Sequence, residues 1–110
     1  MSVRDERDYL LRMIAMAAAT VARLRGRLTG GGGGSAAEVV QSVRAAQAEL
    51  LGRDGALLRM LDPASAAQML GPERIPAWAD LLQLEADALR ADGKSAEADA
   101  VEARVNVLKS

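Results

Sequence analysis

Three arginines at positions 23, 25 and 27 form the clearest electrostatic feature of this 110-residue sequence. Guanidinium groups grip phosphate oxygens bidentately, so such a cluster suggests contact with nucleic acid or an anionic surface. On a helix, however, Arg23 and Arg27 share a face while Arg25 points roughly opposite, so the three make no continuous stripe. Their ordinary duty is to offset the negative end of a helix dipole. A second candidate is Asp99 with Glu102, three residues apart, close enough on a helix to hold Mg²⁺ or Ca²⁺ weakly. No loop of oxygen ligands accompanies them, which favours a solvated face. Gly30 to Gly34, five glycines in a row, suggests a phosphate-cradling loop only at first sight. No Gly-Lys-Ser/Thr follows and no buried strand precedes it, so the run reads as a flexible tether.

The absences are as informative. With no His and no Cys, zinc fingers, thiol redox chemistry, Ser-His and Cys-His nucleophiles and the Glu-x-x-His ligands of di-iron bundles are removed. The two lysines, Lys94 and Lys109, fall at a turn and at the last helix's end, where solvent keeps them from acting as buried nucleophiles. The sequence therefore reads as non-catalytic, with no cofactor and no metal expected.

Net charge is −1, which disfavours a general nucleic-acid binder. Residues 1–34 carry six Arg against three acids and residues 76–110 four bases against seven acids, and opposite signs at the two ends suit self-association or internal packing. The uncharged run Met13 to Ala22 is far short of the ~20 apolar residues of a membrane span. The mixed-charge Arg4-Asp5-Glu6-Arg7-Asp8 before it is unlike an export signal. Membrane partners are not expected, and a cytoplasmic location is the default.

Half the residues are apolar, mostly Ala and Leu, with one Trp, one Tyr and no Phe. That composition favours closely packed helices over a β-sandwich. The elements follow from spacing. Leu10, Ile14, Ala17, Val21, Leu24 and Leu28 recur at intervals of 4 and 3, the seam of an amphipathic helix, and Leu11, Ala15, Ala18 and Ala22 widen it. After the glycines, Ser35-Ala36-Ala37-Glu38 is a capping box opening a helix that Gly52 ends. Asp54 suits the start of a short helix through Leu61. Asp62-Pro63 starts a second one, with Asp as N-cap and Pro in the first turn, that stops at Gly71. From Pro76 to Ala91, Asp80, Gln83, Asp87 and Arg90 form a polar stripe and Trp78, Leu81, Leu82, Leu84, Ala88 and Leu89 fill the other faces. Asp92-Gly93 makes the turn, and Ser95 is expected to cap the last helix. The organisation expected is an amino-terminal helix over 1–29, a Gly-rich linker over 30–35, and a helical unit over 36–110 whose hairpin covers 76–110.

Ala86, Leu89, Gly93 and Ala98 sit where a tetratricopeptide repeat places its small residue, large apolar residue, turn glycine and second-helix alanine, so this third of the chain resembles one such unit. More broadly, the helix opening at Asp8 to Ile14, the linker and the helix pair resemble short bacterial proteins of unassigned function. The resemblance implies an all-α fold and protein–protein contact.

Something must cover the first helix's seam: its own chain or a second copy. The expectation is an all-α scaffold or interaction module that forms a homo-oligomer, with a dimer favoured, through Leu10, Ile14, Ala17, Val21 and Leu24. A groove near Trp78 is expected to take a protein partner. The alternative is an anion binder using Arg23, Arg25 and Arg27.

Overall fold

A computed structural model describes residues 3–30 and 35–110 of the chain. Among these, six α-helices and one 3-10 turn follow one another without a strand: α1 (Val3–Thr29), α2 (Ala36–Leu51), the turn Gly52–Asp54, α3 (Gly55–Met60), α4 (Pro63–Leu70), α5 (Ile75–Ala91) and α6 (Ser95–Lys109). Apart from Gly30, the expected glycine tether lies outside the described residues.

The helix ends obey local chemistry, with corrections. Ser35 accepts the Glu38 N–H at 3.1 Å and Asp62 accepts the Ser65 N–H at 3.0 Å, each satisfying one of the orphan donors of a first turn. The Glu38 carboxylate, expected to reach back to the cap, pairs with Arg27 at 3.3 Å. Asp54 precedes α3 without a side-chain capping bond. Ser95 is the first residue of α6, and Lys94 holds the position before it. The α5–α6 turn closes through a Lys94 N–H bond to the Leu89 carbonyl at 2.8 Å and a Gly93 N–H bond to the Arg90 carbonyl at 3.0 Å. That pattern requires a left-handed residue, and Gly93 has φ +80°.

α5 is the central helix. It packs against α6, α2 and α1, and ten of its 17 residues are buried, Trp78, Leu81, Leu84 and Leu89 among them. Ion pairs fix the directions. Arg25 meets Asp87 at 3.0 Å, so α1 runs parallel to α5, and Arg27 meets Glu38, so α2 runs back along α1. Arg90 joins Asp99 and Glu102, which sets α6 antiparallel to α5. α3 and α4 fill the end of the bundle between α2 and α6.

Of the two covers the sequence leaves open for α1, its own chain supplies one. Ala17 and Leu24 belong to the same core cluster as Val43, Trp78 and Leu89, with Ile14, Val21 and Leu28 packed against it. The reason is geometric: a helix carrying an apolar seam meets the other helices of its own chain at high effective concentration.

Yet α1 is longer than what covers it. Met13, Met16 and Ala17 lie level with Ala46, Glu49 and Leu50, near the end of α2. Arg4 to Tyr9 are all exposed. The first turns of α1 thus overhang the bundle by roughly 15 Å at 1.5 Å per residue.

Candidate functional site

Two places carry features beyond packing: the open side of α1 and a polar hollow beside α5.

On α1 the seam residues divide. Leu24 is fully buried and Ala17 nearly so, whereas Ile14 and Val21 are half-covered and Leu10, at the edge of the overhang, is also half-exposed. In this fold the seam faces α2 and α5. The neighbouring stripe is the free one. Leu11 is 50% exposed, and Ala15, Ala18 and Ala22 on the same face are exposed too. Tyr9 and Met16, each 54% exposed, lie toward the other flank. Where the overhang leaves α5 there is an open hollow of about 1130 Å³, bordered by Asp8, Tyr9, Leu11, Ala15 and Arg74. The Arg74 Nε is buried there with no hydrogen-bond partner among the described residues.

The arginine cluster is mostly engaged within the chain. Arg25 pairs with Asp87 and Arg27 with Glu38, and Arg23 is left exposed. Two of the three charges are therefore offset by a neighbouring carboxylate rather than presented as a basic surface. Asp99 and Glu102 do not form an open carboxylate pair either. Both accept from Arg90, which holds the Arg90 guanidinium more firmly protonated than usual, chiefly through its bond to Glu102. Among the described residues no group of His, Cys, Asp or Glu side chains is arranged to hold a metal ion, and no helix is long and apolar enough to cross a membrane.

The hollow beside α5 was not legible as a site. Trp78, expected at a partner groove, is fully buried and forms part of the wall of the hollow. Its Nε1 donates to Gln47 Oε1 at 3.3 Å. Gln47 Nε2 in turn donates to Glu85 Oε1 at 2.6 Å, and Arg44 Nε to Glu85 Oε2 at 3.1 Å. The Gln47 amide has one orientation that serves both neighbours, oxygen toward indole and nitrogen toward carboxylate. Glu85 is only 6% exposed, so its charge depends on these donors.

Arg104 closes the other side. Its guanidinium sits 5.6 Å from the Trp78 ring centroid, within cation–π range. Nη1 donates to the Leu61 carbonyl at 3.0 Å and Nη2 to the Leu58 carbonyl at 3.2 Å. One side chain of α6 thereby satisfies carbonyls at the end of α3, where helical partners run out. Burial makes the Arg104 guanidinium less firmly protonated than usual, and Asp62 and Glu85 oppose that shift. Arg59 completes the rim by donating to the Arg44 carbonyl at 2.9 Å.

Residue spacing did hold a signal for this network. Glu85 stands off the polar stripe of Asp80, Gln83, Asp87 and Arg90, among Leu81, Leu82, Leu84 and Leu89. A lone acid on an apolar face needs donors from another element. Gln47 follows Val43 by four residues and Arg104 follows Val101 by three, each on an inward face. Nothing local says that the three converge.

Comparison with protein-family models, with curated proteins and with solved structures finds no match.

Proposed function

We propose that the protein is a non-catalytic interaction module that self-associates through the open face of α1. The carrying observation is the stripe of Leu11, Ala15, Ala18 and Ala22, left uncovered on a helix whose adjacent face is buried in the core. Small side chains let two such helices approach closely, and Leu11 supplies the apolar area at each end. An antiparallel pairing is favoured by charge. Asp8 near the start of α1 lies within about 60° of the direction of Arg23 near its end, at 100° per residue over about four turns. A two-fold axis near Ala15 then sets each Asp8 near the partner's Arg23.

The strip is narrow. A helix ~40 Å long and ~10 Å wide buries on the order of 800 Å² over two copies, below the size of stable specific interfaces. Association is therefore weak and dependent on concentration, unlike that of an obligate dimer. Sedimentation equilibrium from about 10 µM to 1 mM should show a rise from the chain mass of 11.5 kDa toward twice that value. Leu11→Asp and Ala18→Asp should each hold the particle at the chain mass. Asp8→Arg should weaken pairing, and Arg23→Asp added to it should restore part of the loss. A single mass across the whole range refutes the reading. Dimerisation that ignores Leu11→Asp points instead to exchange of α1 between copies through the seam.

A further inference from the structure

The hollow walled by α2, α3, α5 and α6 holds more positive charge than its fold requires. Arg44, Arg59 and Arg104 border it with Glu85 as the one carboxylate, around a space of about 200 Å³, enough for roughly seven waters at ~30 Å³ each. Both Glu85 oxygens are already engaged, by Gln47 and Arg44. Arg59 and Arg104 donate to neutral carbonyls of Arg44, Leu58 and Leu61. A guanidinium has five N–H donors, so most of those on the three arginines remain available. Asp62 holds the Ser65 N–H and lies outside the wall, acting on Arg104 only through space. Structural need accounts for Arg104 and Arg44 as packing and pairing groups. It does not account for Arg59 beside them, nor for a lining that joins three guanidinium groups to one carboxylate.

We infer that this hollow binds a small tetrahedral dianion: phosphate, or the head of a short phosphate monoester. The surplus of two charges matches the charge of a phosphate monoester near neutral pH, about −1.5 to −2. The three arginines come from three different elements, α2, α3 and α6, and so approach from different sides. That arrangement suits an anion with three outward oxygens better than a planar carboxylate, which one fork of a single guanidinium already satisfies. Leu82 and Val101 form an apolar part of the wall, which would accommodate the first carbons of an ester. The site is separate from the open face of α1 and does not depend on self-association.

Trp78 is the one tryptophan of the chain, so its indole N–H gives a single resonance in a ¹⁵N-labelled sample, linked to Glu85 through Gln47 by two hydrogen bonds. That resonance is followed while inorganic phosphate, glycerol 3-phosphate, succinate or chloride is added at matched ionic strength. A saturable shift with the phosphates and none with chloride is expected. Tighter binding of glycerol 3-phosphate identifies the ester as the better ligand, and equal or weaker binding identifies free phosphate. Arg59→Ala removes an exposed side chain and should weaken binding about tenfold or more, the loss of a charge-assisted hydrogen bond. Arg59→Gln should give the same result if the alanine variant loosens the turn, while Arg53→Ala, outside the hollow, should change nothing. A shift reproduced by chloride, one indifferent to both Arg59 variants, or tighter binding of succinate than of phosphate overturns the assignment.

Discussion

The two ends of the molecule are built from the same residue types and reach opposite outcomes. Around α5, leucines and alanines from α1, α2 and α6 converge, and even the polar groups that enter, Gln47 and Glu85, find partners inside. On the overhanging start of α1, Leu11 and the alanines behind it meet water. Leu81 and Leu11 are chemically identical, and what separates them is the number of helices that reach each one. α5 has neighbours along its whole length, whereas α2 ends level with the middle of α1. Stability is thus concentrated in the central helix, and the outer helix keeps a face for contact.

The contrast is most sharply broken by truncating a leucine on each side. Leu84→Ala, in the fully buried part of α5, should cost about 2–5 kcal/mol, read as a lowered urea midpoint at an unchanged m-value. Leu11→Ala should fall within about 0.5 kcal/mol of the parent. Equal losses at the two positions would mean that the overhang is covered in solution, and the mass measurement would then identify the cover.

A smaller effect is expected from the polar network. Glu85→Ala leaves the Gln47 amide and Arg44 without their acceptor and should cost about 1–3 kcal/mol. Glu85→Gln keeps an acceptor for one of them and should cost less. The equivalent change on the outer helix, Glu6→Ala, should leave the midpoint unchanged, because Glu6 is exposed.

Smaller still is a pH effect at the start of α4. Hydrogen bonds from Ser65 hold the Asp62 carboxyl below its ordinary value of 3.8. A carboxyl depressed on folding contributes stability that is fully present above its unfolded value and is lost as pH falls through its folded value. Asp62→Asn should therefore flatten the acid limb of the stability curve below about pH 4. Its effect at pH 7 should be slight, since Asn also caps helices well. A thermal melt series from pH 2 to 7 on both proteins reads this directly.

Local chemistry determined much of this fold. The seam of α1, the Ser35 and Asp62 caps and the stops at Gly52, Gly71 and Gly93 are written in runs of a few residues, because capping, left-handed turns and helical periodicity act over a single turn of backbone. The sequence equally determined that α1 must find cover, since six seam residues at helical spacing have no stable exposed state. Which cover it finds, and which stripe stays free, depended on where α2 ends relative to α1, a matter of packing between segments. The convergence of Arg44, Gln47, Glu85 and Arg104 was likewise decided only by tertiary structure. Residues 41 and 38 positions apart along the chain acquire a hydrogen-bond distance only when α2 and α5 have taken their places.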